Sequence, residues 1–110
     1  MSDERIEKIK STVDAADHIP ADKKAALSDA LSKLKPALAQ ISQTHPEDAQ
    51  SISQVVEASA HEATRKEKRP EHLNKLSDEL RRSVEKFEAS HPKLAEFVTE
   101  YSAILSALGI

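Results

Sequence analysis

The chain has no cysteine, no tryptophan and one glycine in 110 residues, and aromatics make up 3%. Without thiols there is no disulfide framework and no thiolate metal site. One glycine supplies no phosphate-cradling loop and little of the turn chemistry that hairpins need. No apolar run approaches the roughly 18 residues of a membrane span. The opening Met1-Ser2-Asp3-Glu4-Arg5 holds no apolar core of a signal peptide. Neither sign of charge dominates. The net charge is −3, whereas a general nucleic-acid binder carries a basic excess. The expectation is a single helical domain over 1–110 in the cytoplasm, with no membrane contact and no cofactor.

Five prolines punctuate the chain: Pro20, Pro36, Pro46, Pro70 and Pro92. Four sit where a helix can begin, since a fixed φ and a missing donor cost least at the first helical position. They divide the sequence into helical segments over 3–17, 20–43, 46–68, 70–89 and 92–108. Segments 1–43 read as an N-terminal helix pair, 44–69 as a charged, weakly apolar helix, and 70–110 as a C-terminal helix hairpin.

Helical spacing identifies the core. Ile6, Ile9, Val13 and Ala16 share one face of the first segment. Leu27, Leu31, Leu34, Leu38 and Ile41 alternate steps of four and three, an arc of about 80° that makes a narrow coiled-coil-like seam. Pro36 lies opposite this seam, so it either bends the helix around the core or breaks it at Ala37. Leu73, Leu76, Leu80, Val84 and Phe87 form a second narrow seam. Leu94, Phe97, Val98, Tyr101, Ile104, Leu105 and Leu108 span about 120° on the last segment. Gly109 suits a left-handed C′ position with Ile110 folding back as its apolar contact. All three aromatics lie in the last quarter, so the densest core is expected where the last two segments meet as antiparallel neighbours.

The third segment differs from the rest. Residues 44–64 contain four acidic residues and no Lys or Arg, then Arg65-Lys66-Glu67-Lys68-Arg69 follows. Acid first and base last complement a helix macrodipole. Thr44 and Glu47 have capping-box spacing. Its apolar content is Ile52, Val55 and Val56 with Ala49, Ala60 and Ala63, so it either packs closely through alanines or protrudes in its second half. A hydroxyl-His-Pro restart occurs twice, at Thr44-His45-Pro46 and Ser90-His91-Pro92, with His18-Ile19-Pro20 a looser version. Shared capping chemistry accounts for this as well as duplication does.

The chemistry-bearing residues assemble into no catalytic motif. Glu88-x-x-His91 has the spacing of a di-iron ligand pair, but such a site needs a second pair. The residues three before His18, His45, His61 and His72 are Ala15, Ser42, Ala58 and Arg69. His61-Glu62 starts like a zinc-protease motif, yet position 65 is Arg instead of His. No Ser sits in a Gly-x-Ser-x-Gly elbow. Glu4/Lys8, Asp29/Lys33, Glu62/Lys66, Glu71/Lys75 and Asp78/Arg82 are acid-first i, i+4 pairs and read as solvated helix faces. No catalytic, cofactor-binding or metal residue is assigned, and no enzyme is expected. Arg65, Lys66, Lys68 and Arg69 are the candidate contacts for an anionic partner, although no aromatic interleaves them.

Leu80 to Ile110 reads LRRSVEKFEASHPKLAEFVTEYSAILSALGI. This stretch resembles the C-terminal signature of the bacterial domain of unknown function 4404 family: Val-Glu-x-Phe-Glu-x-x-His-Pro-x-Leu and a Leu-x-x-x-Gly-Ile tail. The matching positions are Val84, Glu85, Phe87, Glu88, His91, Pro92, Leu94, Leu105, Gly109 and Ile110. Residues 3–41 are similar too: an amphipathic helix, a short proline-containing turn and a leucine-rich helix. The resemblance implies a small helical bacterial protein and supplies no activity, substrate or partner.

The combined expectation is an all-α, mostly antiparallel bundle of four to five helices with coiled-coil-like seams. Its core is built on residues 73–108 and closed by the two N-terminal helices. Seams this narrow suit pairwise contact, within the chain or across a two-fold axis. The expected role is a non-catalytic protein-interaction or assembly module, as a homodimer or with another protein. The runner-up is a nucleic-acid-associated accessory protein using 65–69. Nucleic acid is the less favoured partner, and no small-molecule substrate is inferred.

Overall fold

The computed structural model describes residues 2–67 and 69–109, with side chains for 5–67 and 69–108. Five α-helices follow in order: α1 (Ser2–Ala15), α2 (Ala21–Ser42), α3 (Pro46–Ala63), α4 (Pro70–Val84) and α5 (Pro92–Gly109). One turn of 3₁₀ helix, Glu85–Phe87, ends the α4 stretch, and no strand occurs among the described residues. The fold is thus the all-α bundle that the periodicity calls for.

The prolines act as the sequence implies. Pro46, Pro70 and Pro92 are the first residues of α3, α4 and α5, and Pro20 is the N-cap of α2. Pro36 lies inside an unbroken α2 with its ring in solvent, because the ring faces away from the buried seam. His45, and not Thr44, is the N-cap of α3, and it makes no side-chain cap bond. Thr44 Oγ1 lies instead 2.8 Å from His45 Nδ1. With Pro46 at the first helical position, Thr44 falls one residue too early for a capping box. Gly109 continues α5, and no described glycine has a positive φ. Ile110, the proposed apolar contact of that cap, lies outside the described residues.

The helices close a ring in the order α1, α2, α5, α4, α3, and α3 also reaches α2 and α5 across the middle. The weakly apolar helix therefore touches all four others. It buries Ala49, Ile52, Ser53, Val56, Ser59, Ala60 and Ala63. Small residues let neighbouring backbones approach closely, which resolves the choice between alanine packing and protrusion. The core is accordingly shared by all five helices and is not built on 73–108 with the others as a lid.

The α2 seam, Leu27, Leu31, Leu34, Leu38 and Ile41, is wholly buried. On α4 the inward stripe is Leu73, Ser77, Leu80 and Val84, continued by Phe87. Ser77 takes the place that hydrophobic spacing gives to Leu76, which sits half-buried at the rim. Alternating steps of four and three from Leu73 lead to residue 77, and a serine there keeps α4 close to its neighbours. On α5, Leu94, Val98, Tyr101, Leu105 and Leu108 are buried. Phe97 is half-buried at the α2 side, with Lys33 Nζ 5.9 Å from its ring centroid.

Candidate functional site

Among the described residues one carboxylate is buried, and it organises the corner between α3 and α4. Glu62 is 2% exposed, one residue before α3 ends. The helix stops at Ala63, so residues 65–69 are not its last turn but the connection that carries the chain back into α4. That reversal brings Arg69 onto Glu62. Nε donates to Oε2 at 3.1 Å and Nη2 donates to Oε1 at 2.8 Å. His72 Nδ1 donates to Oε1 at 3.1 Å, and Arg65 Nε approaches Oε2 at 3.6 Å. His18 Nε2 donates to the Arg65 carbonyl at 3.1 Å, tying the α1–α2 connection to the same corner.

The hydrogen bond from Arg69 is the main force that holds the Glu62 carboxyl at about 2, from an ordinary 4.5. Burial pushes the other way, and His72 and the two arginines outweigh it. The same contact raises the Arg69 pKa. Bidentate geometry suits a planar guanidinium and no other side chain.

The basic candidates thus separate. Arg65 and Arg69 turn toward Glu62, Lys66 is exposed, and Lys68 lies outside the described residues. Glu62 pairs with Arg69, and not with Lys66 four residues on, because the helix ends before a surface pair can form. Asp78 likewise pairs with Arg81, three residues on, and Lys33 reaches Glu100 on α5 at 2.9 Å. The Glu4 side chain lies outside the described set.

A second polar contact lies in the core. Tyr101 is fully buried, with its hydroxyl 3.0 Å from Ser59 Oγ and donating to the Val56 carbonyl at 3.2 Å. Burial raises the phenol pKa, and the Ser59 bond offsets a little of that. Ser53, Ser77 and Ser102 are buried with unpartnered hydroxyls.

At the opposite end, the two His-Pro restarts converge. The rings of His45 and His91 stand edge-on to buried Phe87, with centroids 5.3 and 5.8 Å away. Lys86 Nζ lies 5.6 Å from the Phe87 centroid and 2.8 Å from Asp48 Oδ1. Glu88 and His91 flank a turn, and no group of three or more His, Asp or Glu able to hold a metal ion occurs among the described residues.

An open cleft of about 350 Å³ runs between α4 and α5. Its walls carry Asp78, Glu85 and Glu88 beside Arg81 and Arg82, over Val84 and Ala95. Mixed charge on an open wall offers no converging set of groups for one ligand. No described helix is long and apolar enough to cross a membrane.

The buried Glu62 carries no local sequence signal and follows from where α3 ends. Ser77 had one signal, the four-and-three spacing from Leu73, against its own low hydrophobicity. Neither a curated protein nor a solved structure matches the chain. From Leu27 in α2 onward the picture is different: residues 27–110 match Domain of unknown function (DUF4404), and the chain belongs to that family.

Proposed function

We propose that this protein works by contact, as a non-catalytic protein-interaction or assembly module in the bacterial cytoplasm. The observation that carries this reading is the fate of the two most perturbed titratable groups among the described residues. Glu62 is closed off by Arg69, His72 and Arg65, and Tyr101 by Ser59 and Val56. Catalytic acids and bases are tuned groups that face a cleft. Here the tuned groups face inward and hold helices together. What the molecule offers outward is helix surface, and its narrow leucine seams extend the reading to coiled-coil-like pairing.

The nucleic-acid reading gains less support. Two of the four cations at 65–69 already serve Glu62, and drawing one away leaves a buried carboxylate short of a partner. In-cell cross-linking of the tagged chain in its native host, followed by mass spectrometry, tests the proposal. Stoichiometric recovery of one protein, the chain itself included, is expected. Recovery of none, together with salt-dependent shifts of an oligonucleotide that vanish in Lys66→Glu, would replace it with the nucleic-acid reading.

A further inference from the structure

We infer that the outer groove between α3 and α4 is a self-association surface, and that its occupant is the same groove of a second copy. The inference rests on the interaction reading above and names its partner.

Nine of the ten leucines are buried, and Leu76 is the exception. It follows His72 by four residues, so it shares the stripe of α4 whose upper end reaches Glu62 on α3. On α3, half-buried Val55 lies seven residues after Asp48 and seven before Glu62. Those two acids are tied to the α4 side by Lys86 at 2.8 Å and by His72 at 3.1 Å. The two ties keep one antiparallel register, which sets Leu76 level with Ala58 and Val55 level with Glu79. The groove is therefore pinned at both ends, and between the ties it carries Val55, Ala58, Leu76 and Ser83, with exposed Glu79 along its outer edge.

A leucine left at this rim is not a packing accident. Its neighbour Ser77 occupies the inward position with its hydroxyl unpartnered. The arrangement turns a serine in and a leucine out. Apolar area at such a site is hidden when a partner covers it.

Charge selects the second copy. The exposed side of α3 carries Glu47 at one end and no Lys or Arg along its length. Near that end the α4 stretch presents exposed Arg82 and exposed Lys86, the latter already tied to Asp48 of its own chain. A two-fold axis along the groove lays α3 of one copy over α4 of the other, antiparallel and in register. Leu76 then meets Ala58 of the second copy, and Glu47 meets Arg82 and Lys86, each contact made twice. Exposed Ala58 and Ser51 leave room for that close approach.

Light scattering after size-exclusion chromatography at the highest attainable concentration tests this. The wild type is expected at twice the 12.1 kDa chain mass. Leu76→Glu and Ala58→Arg are each expected to give the monomer while keeping helical circular dichroism. Ala103→Arg, on the exposed face of α5, is expected to leave the dimer intact. Ala58 is exposed, so its variant reads the interface even if Leu76→Glu unfolds. A monomeric wild type overturns the inference, as does a dimer that survives Ala58→Arg. A monomeric wild type leaves the interaction reading standing on the cross-linking result, so the two failures are told apart.

Discussion

Arg69 grips Glu62 with both prongs of its guanidinium, although the two residues sit on opposite sides of a chain reversal. Replacing Arg69 by Ala leaves a buried carboxylate with Arg65 and His72 alone. Breaking a buried pair typically costs about 3–5 kcal/mol. Arg69 is 56% exposed and two partners remain, so a smaller loss is expected, read as a lower midpoint in urea unfolding. Arg69→Lys should recover little of it, because a single ammonium cannot make the fork.

Glu62 also sets an acid limit. Its folded-state pKa lies below the ordinary 4.5, at about 2, so the unfolded chain binds this proton more readily. Stability from the site is therefore complete above about pH 4.5 and is lost as pH falls toward 2. Solvent around Arg69 and His72 screens part of the attraction, leaving a contribution on the order of 1–3 kcal/mol. Glu62→Gln should be less stable than wild type at pH 6 and should show a flatter decline between pH 4.5 and pH 2. Thermal melts across that window measure the difference.

Tyr101 sets the alkaline counterpart. Burial raises its pKa above the ordinary 10.0, so the folded state favours the neutral phenol. That contribution is complete below pH 10 and falls as pH rises past it. The chain has one tyrosine and no tryptophan, so tyrosinate absorbance reports this group alone. Absorbance and helical circular dichroism should change together, because the hydroxyl ionises when the helices part. Tyr101→Phe keeps the ring and should cost about 1 kcal/mol.

How much of this was legible beforehand depends on the range of the cause. The starts of α3, α4 and α5 were readable from Pro46, Pro70 and Pro92, because proline's effect is local. The α2 seam was readable because five apolar residues repeat at one spacing. Leu76 was misplaced because hydrophobicity gave it the inward position, while the four-and-three helical spacing from Leu73 gives that position to Ser77. The Glu62 corner was hidden for a different reason. Lys66 stands four residues on and supplies a satisfactory surface pair on paper, so nothing local points to Arg69. The central position of α3 was hidden too, since small residues signal close packing only once a neighbour is known.

The buried serines separate two kinds of hydroxyl. Ser59 Oγ donates to the Val56 carbonyl at 2.8 Å and meets Tyr101, whereas Ser77 has no partner. Removing a satisfied buried hydroxyl leaves its partner wanting, so Ser59→Ala should destabilise by about 1 kcal/mol. Removing an unsatisfied one relieves desolvation and raises helix propensity, so Ser77→Ala should be neutral or stabilising by about 0.5–1 kcal/mol. Opposite signs for two Ser→Ala changes in one core, read from chemical unfolding midpoints, would be hard to obtain from burial alone.

Phe87 joins the two histidine restarts, and its energetics can be divided. The ring is 3% exposed, and truncation to Ala should cost about 3–5 kcal/mol through lost burial and a cavity. Most of that belongs to the core as a whole. The share owed to the edge-on rings of His45 and His91 is isolated by a cycle with Phe87→Leu, which keeps apolar volume and removes the aromatic face. Each histidine should couple to Phe87 by about 0.5–1.5 kcal/mol in chemical unfolding. Coupling to both means that Phe87 pins the starts of α3 and α5 together. Coupling to one alone would assign the second His-Pro to helix initiation only, and near-zero coupling to both would reduce the clasp to side-by-side packing.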